Sequence, residues 1–391
     1  MKTEDDRVVV RVEGRVDSNS APKLDDAIRD AERSAPGKAL ALDFGRVSYI
    51  SSAGLRVLLA AAKRHRERVT VCDVSPEIYD IMDTTGFTTL LDVERRMREI
   101  SVEGCEVIGV GAIGTVYRID PDTIVKVFRA SYPLEMIRDE QRRAKRAFIK
   151  GVPTAIPYDV VRVGDCYGSV FELVNARTYN DVLAERPEDA GPIIRRYAEL
   201  VREVHAIQAE PGELPDCRET YLDYLDAVGD AIPRALSERL RALLRAMPED
   251  LHLIHGDFHM KNILLSGDEP LLIDMDMLSV GDPVFDYAGI YVAYRAFLEH
   301  EPDNRMAFLG IPGELCERIW RETLAICAGA PDGQAPGEVE KRAVLVGGLR
   351  FLYLLTVIGL GAPELREIRI RSTIERLSAL AGEIDSLATR A

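Results

Sequence analysis

Residues 255–276 constrain the fold of this chain more than any other stretch. They read His-Gly-Asp-Phe-His-Met-Lys-Asn, an apolar run Ile263-Leu264-Leu265, a turn, a second apolar run Leu271-Leu272-Ile273, and then Asp274-Met275-Asp276. Two short apolar runs about a turn read as a β-hairpin. Closing that hairpin returns Asp274 to the neighbourhood of Asp257 and Asn262, which sit five residues apart on the preceding loop. Three oxygen-bearing side chains then converge, with a candidate proton acceptor among them. Hard oxygen donors around a gap with room for phosphate oxygens suit magnesium and a bound nucleotide, because magnesium keeps to carboxylate, amide and phosphate oxygens. The chemistry implied is phosphoryl transfer.

A chain of 391 residues with 47% hydrophobic content supplies cores for two or three domains. Its net charge of -15 argues against nucleic acid as the main partner, since backbone phosphates are repelled wherever that charge is not locally reversed. A cationic or neutral substrate is easier to accommodate. The cysteines Cys72, Cys105, Cys166, Cys217, Cys316 and Cys327 form no close pair, so neither a zinc motif nor a disulfide framework is expected, and a reducing cytoplasm is the expected location. The opening Met-Lys-Thr-Glu-Asp-Asp runs into a strand pattern without a signal peptide's apolar stretch, and no export is expected. The run Val344 to Gly361 raises a membrane span, yet it carries Arg350 and four glycines and is barely long enough. A buried C-terminal helix, and no membrane partner, is the expectation.

Strand and helix patterns alternate through the first hundred residues. Arg7–Val12 reads as a strand closed by Gly14, Lys23–Arg33 as an amphipathic helix, Ala39–Phe44 as a strand, Ala53–Arg66 as a helix and Arg68–Val74 as a strand. This is a small α/β domain. The segment from Leu42 to Ile50 feeds a helix at Ser51-Ser52-Ala53-Gly54-Leu55, and Thr85-Gly86-Phe87 later precedes Leu90-Leu91. With these features, roughly residues 5–95 resemble the STAS family, the anti-sigma factor antagonists. In that family a serine or threonine at the start of this helix is the regulatory phosphorylation site. The resemblance therefore implies Ser52 as that site and a protein partner for the domain, although Ser51 stands where the family usually has aspartate. The residues also allow a plainer role, in which Ser51 or Ser52 caps the helix by accepting from free backbone N–H groups. A phosphate there would sit at a helix N-terminus and add about two negative charges.

From Arg98 the pattern becomes strand, glycine loop, strand, with no long linker before it, which sets domain limits of 1–97 and 98–391. The polar stretch Gly329 to Gly337 reads as a surface loop. Gly109-Val110-Gly111-Ala112-Ile113-Gly114 fits a glycine-rich hairpin over nucleotide phosphates, a weak motif by itself. In Ile124-Val125-Lys126-Val127-Phe128 one lysine sits inside a strand otherwise made for burial, and an inward lysine needs an anionic partner. The next helix offers Glu140, which shares a face with Met136, Ile137, Ala144, Ala147 and Phe148, and Glu135, which lies among Arg138, Asp139 and Arg142. Glu140 is the expected partner. Phe171-Glu172-Leu173-Val174 reads as a strand end that joins two lobes and offers backbone groups to adenine, or as an ordinary core strand.

Together these motifs resemble the aminoglycoside phosphotransferase and choline kinase family. The resemblance implies an α+β bilobal protein-kinase-like domain, with a small lobe over about 98–173 and a large lobe over about 174–391. It implies ATP and Mg2+ as cofactors. In the roles it carries across, Gly109, Gly111 and Gly114 cover the phosphates, Lys126 holds the α and β phosphates, Glu140 orients Lys126, and Glu172 and Val174 meet adenine. Asp257 accepts the substrate hydroxyl proton, and Asn262 and Asp274 hold magnesium. Asp276 is a further metal contact or a structural carboxylate. Asp282 and Asp286 are expected as structural anchors, His255 as a brace, His259 as a hydrogen-bonded loop residue near the phosphates with Lys261, and His205 as a packed histidine.

Gly256 stands where protein kinases usually carry an arginine, and only eleven residues separate Asp274 from Asp286, too few for a long peptide-docking segment. Both favour a small hydroxylated or amino-alcohol acceptor. Two functions follow: phosphorylation of a small-molecule hydroxyl with an attached regulatory or partner-binding domain, or a signalling protein whose kinase domain phosphorylates Ser52 or acts as a nucleotide-dependent switch.

Overall fold

The protein, seen in a computed structural model, is described over residues 2–4, 7–65, 69–111, 113–267, 269–301, 308–329 and 337–389. The chain divides into two units, Met1–Ser101 and Val102–Ala391.

In the first unit β1 (Lys2–Glu4) runs antiparallel to β2 (Arg7–Val16), and β2, β3 (Ala39–Ile50), β4 (Thr70–Val74) and β5 (Asp92–Arg95) follow in parallel. Parallel neighbours need crossovers, supplied by α1 (Ala21–Ser34), α2 (Ser52–Arg64), and the pair α3 (Pro76–Thr84) and α4 (Phe87–Leu90). Val8, Val10 and Val12 alternate inward with Leu40, Leu42 and Phe44, and close on Ile28 and Leu58 from the helices. β2 and β3 run past their expected ends at Val12 and Phe44. Their register shifts near Glu13 and again beyond Gly14, so irregular pairing continues the sheet where apolar alternation fails. Of the expected helix and strand at Ala53–Arg66 and Arg68–Val74, residues Arg66 and Arg68 lie outside the described residues.

The second unit begins with β6 (Glu106–Val110), β7 (Gly114–Asp120) and β8 (Thr123–Phe128), then α5 (Leu134–Ile149), β9 (Pro157–Val163) and β10 (Cys166–Glu172). These strands lie antiparallel in the order β9-β10-β8-β7-β6, with α5 against β9 and β10. Helices build most of the rest, around two small sheets: α6 (Tyr179–Glu185), α7 (Ala190–His205), α8 (Cys217–Val228), α9 (Arg234–Arg245), α10 (Val284–Tyr294), α11 (Gly313–Cys327), α12 (Gly337–Tyr353) and α13 (Pro363–Glu383). Every residue of α10 is buried, including Asp286, so this helix is the axis of the large lobe. The apolar run from Val344 forms the rest of α12 and a π-helical turn, Leu354–Ile358. It packs on α10 through Gly347 and precedes α13, so it is the penultimate helix. Among the described residues no helix is long and apolar enough to cross a membrane. The loop expected at Gly329–Gly337 and Ala112 of the glycine hairpin fall at 330–336 and 112, outside the described residues.

Candidate active site

Lys126 lies on β8 with strands on both sides, opposite Ser169 and Val116. Such a side chain points either into the sheet's covered face or away from it, and here it turns inward. Its Nζ donates to Glu140 Oε1 at 2.8 Å and to Asp274 Oδ1 at 3.2 Å. Burial favours loss of the ammonium proton, but Asp274, Glu140 and Asp276 outweigh it and hold Lys126 charged well above its ordinary range. Glu140 occupies the buried stripe of α5 with Ile137, Gln141, Ala144 and Ala147, whereas Glu135 pairs with Arg138 at the surface, 2.7 Å away. Met136 and Phe148, expected on the Glu140 face, are about half exposed, because the stripe centres between Glu140 and Gln141. Burial, with Asp274, raises the Glu140 carboxyl in spite of Lys126. Its Oε2 is sealed without a partner among the described residues.

The glycine hairpin closes through Gly111 N–H to Gly114 C=O, 2.9 Å. At Gly114 a Cβ would lie 2.4 Å from Val127 O, so the strands themselves require glycine there, while Gly109 and Gly111 meet nothing closer than ordinary contact. Those two leave backbone open to a ligand. At the end of β10 the Glu172 amide donates to Ile156 O (2.9 Å), and the Glu172 carboxylate accepts from Ile156 N–H (3.2 Å). Glu172 therefore serves the sheet as a donor and has only its carbonyl to offer elsewhere. The Val174 amide has no hydrogen-bond partner among the described residues.

The expected hairpin forms. Ile263–Ser266 pairs antiparallel with Glu269–Leu272, and Ile273 N–H donates to Asn262 C=O at 2.9 Å. Asn262 Nδ2 donates to Asp257 O (3.1 Å) and Asp257 Oδ2 (3.3 Å). Asp274 follows at φ +66°, a left-handed conformation uncommon outside glycine that turns its carboxylate toward Lys126. Asp286 pins the loop from below: its carboxylate accepts from His255 N–H (3.1 Å), Gly256 N–H (2.7 Å) and His205 Nε2 (2.8 Å). The fully buried His255 is held neutral by burial. That state fits its contacts, with Nε2–H donating to Ile273 O (3.3 Å) and Nδ1 accepting from Asp257 N–H (3.3 Å). Gly256 adopts φ +83°, and a Cβ there would lie 2.6 Å from Met277 Cβ. No larger residue fits before Asp257.

Around the Asp257 carboxylate, His259 Nε2 lies 3.3 Å from Oδ2 and Arg350 Nη2 donates to Oδ1 at 3.0 Å. Burial would raise this carboxyl, but His259 and Arg350 reverse the effect and hold it below the usual carboxylate range. Arg350 reaches the site from α12; in the sequence it counts only against a membrane span and not as a site residue. The signal was a lone arginine in an apolar run, the same signal that found Lys126. Lys261 instead turns to Phe308, donating to its carbonyl (2.6 Å). Asp282 caps Val284 (2.9 Å) and accepts from Thr389 N–H (2.8 Å), an anchor as expected. Asp276 is pushed up to about 7 by burial and by Asp274 and Glu140.

The donor set suits magnesium. Asp274, Asp276 and Glu140 crowd negative charge around a single lysine, and Asn262 Nδ2 is engaged while no partner occupies its Oδ1 among the described residues. Two protein oxygens completed by phosphate oxygens and water are what this ion takes.

In the first unit Ser51 is the helix cap. Its side chain accepts from Ala53 N–H at 3.2 Å, and Ser52 occupies the first helical position with its side chain exposed.

Residues 104–320 match the family described as "Phosphotransferase enzyme family", and residues 1–92 match the family described as "Mlab, STAS domain". An anti-sigma factor antagonist of Bordetella bronchiseptica is 32% identical over 92 residues, 23% of this chain and 78% of that protein. The anti-sigma-B factor antagonist of Listeria monocytogenes is 27% identical over 92 residues, 23% of this chain and 80% of its own. Among solved structures, a thermostable mutant of aminoglycoside phosphotransferase APH(4)-Ia in its apo form aligns at TM-score 0.47 and 14% identity, covering 72% of this chain and 97% of that one. A choline/ethanolamine kinase family protein from Mesorhizobium loti aligns at TM-score 0.44 and 18% identity, covering 71% and 87%.

Proposed function

Since the chain belongs to the phosphotransferase enzyme family, with a STAS domain at residues 1–92, we propose that it is an ATP- and magnesium-dependent kinase acting on the hydroxyl of a small molecule. One observation carries the reading. Lys126 bridges Glu140 and Asp274, while Asp257 and Asn262 meet on the loop that the same hairpin brings round. In this reading Lys126 holds the α and β phosphates and Glu140 keeps it in place. Gly109 and Gly111 let backbone close over the phosphates, and the Glu172 carbonyl and Val174 amide take the adenine edge. Asn262 and Asp274 hold magnesium, which when bound neutralises charge developing on the phosphoryl oxygens. Asp257 accepts the acceptor's hydroxyl proton, its carboxylate kept ionised despite burial by His259 and Arg350. The small acceptor follows from the path between Asp274 and Asp286. It is spent on a two-residue strand, Ser279–Val280, paired with Leu253–Ile254, and on the entry to α10, leaving no segment for docking a peptide.

The test is a panel of amino-alcohols, aminoglycosides and other hydroxylated small molecules, incubated with ATP and Mg2+ and assayed for ADP release. Asp257→Asn is expected to keep nucleotide binding and lose transfer; Asp274→Ala is expected to lose magnesium-dependent nucleotide binding. Unchanged turnover in either variant removes that residue's role.

A second reading, phosphorylation of the STAS domain itself, is favoured by one observation: Ser51 does the capping, so the exposed Ser52 hydroxyl is spare. A phosphate on Ser52 would sit at a helix N-terminus, where it is favourable. Mapping label from ATP onto the purified protein decides it, and an active preparation with unlabelled Ser52 rejects self-phosphorylation.

A further inference from the structure

Arg350 sits in the middle of α12 among Val346, Leu349, Phe351 and Leu352, all buried, and its own side chain is only 12% exposed. A buried guanidinium is costly unless its charge and donors are met. Both needs are met at one place. Nη1 donates to Gly256 O and Nη2 to Asp257 Oδ1 at 3.0 Å. One planar fork therefore grips the backbone just before Asp257 and the carboxylate itself.

The slot for that fork is built by omission. On α10, Gly289 faces it, and a Cβ there would lie 3.0 Å from Arg350 Nη1 and 3.3 Å from Gly256 O. Glycine in a helix interior is less stable than alanine, so this buried helix gives up stability where the guanidinium needs room. Steric exclusion at Gly256, against Met277, bars a cation from the position directly before Asp257. The charge arrives instead from a distant helix.

Resting on the reading of Asp257 as proton acceptor, we propose that Arg350 is the positioning residue of that base. It locks the carboxylate through Oδ1 and so sets the direction of Oδ2, which Asn262 Nδ2 and His259 Nε2 also approach at 3.3 Å, as the oxygen that meets the acceptor hydroxyl. In the transfer step the acceptor O–H bond breaks and its proton passes to Oδ2. The acceptor oxygen bonds to the γ-phosphorus as the bond from that phosphorus to the ADP oxygen breaks. Arg350 touches neither substrate; it fixes the angle at which Oδ2 waits.

Steady-state kinetics of Arg350→Gln, Arg350→Lys, Gly289→Ala, Asp257→Asn and the Arg350→Gln, Asp257→Asn double variant test this with the best acceptor from the panel. Arg350→Gln is expected to lower kcat on the order of tenfold to a hundredfold, the scale of a misplaced catalytic group, with KM for ATP nearly unchanged. Arg350→Lys should recover part of the loss. Gly289→Ala, which keeps the arginine and crowds its fork, should lower kcat in the same direction, and it carries the test if Arg350→Gln does not fold. Because Arg350 acts through Asp257, adding Arg350→Gln to Asp257→Asn should cost nothing further. A fully additive double variant, or losses confined to thermal stability or KM, overturns the proposal and leaves Arg350 a structural pin. Wild-type turnover in Asp257→Asn alone would instead overturn the reading of the base.

Discussion

Three acidic side chains share one lysine at the centre of the site, and their crowding has a measurable sign. Asp276 is pushed up to about 7 by burial, Asp274 and Glu140, against an ordinary carboxyl near 4. Between those two values the folded protein holds a proton that the unfolded chain has released. The unfolded state then binds fewer protons, so this group's contribution to stability falls as pH rises from about 4 to about 7. A bound divalent cation relieves the same repulsion by displacing that proton. Added Mg2+ should therefore raise the melting temperature more at pH 8 than at pH 6, as thermal scans with and without the ion would read. An equal gain at both pH values would separate Asp276 from the metal site. At this scale the sequence is legible where a residue breaks the pattern of its own segment, as Lys126 does in an apolar strand, or where a hairpin returns one carboxylate to other oxygen donors, as with Asp274, Asp257 and Asn262. Arg350 broke its segment just as sharply. Its partner lies 93 residues away, and only the packing of α12 on α10 joins them.

Elements were read correctly where their periodicity reports burial, as in the hairpin at 263–272, the alternating β2 and the stripe of α5. Boundaries failed where backbone pairing outran that periodicity, as β2 and β3 did across their register shifts. Glycines in α12 carry a message that periodicity cannot. Alanine for glycine in a helix ordinarily stabilises by about 1 kcal/mol, but a Cβ at Gly347 would lie 2.8 Å from Ala288 O and 2.7 Å from Tyr291 Cδ1. Backbone cannot yield, and overpacking costs about 1–3 kcal/mol. Gly347→Ala should therefore lower stability in denaturant titrations. At Gly348 the close atom is the tip of the Leu377 side chain, 2.5 Å away, which can rotate aside. Gly348→Ala should come out near neutral, and a reversed order would mean that the α10–α12 contact is looser than its geometry.

Over the whole molecule the described residues close three cores: one around Val10, Leu42 and Leu58 in the first unit, and two in the second, around Tyr197, Tyr291 and Trp320 and around Tyr221, Leu349 and Leu377. The proposed catalytic residues all lie in the second unit, so a change that only weakens the first unit's packing should separate stability from turnover. Ser51→Ala removes the cap of α2 and should cost about 1 kcal/mol, seen as earlier unfolding of the STAS domain, with kcat toward a small acceptor unchanged. Ser52→Ala removes an exposed hydroxyl that caps nothing, and should change neither. Measuring both variants by thermal unfolding and by ADP release gives the comparison its force. A fall in kcat with Ser52→Ala but not with Ser51→Ala could not come from lost helix stability. It would show that the serine hydroxyl itself, or a phosphate carried on it, reports to the kinase site.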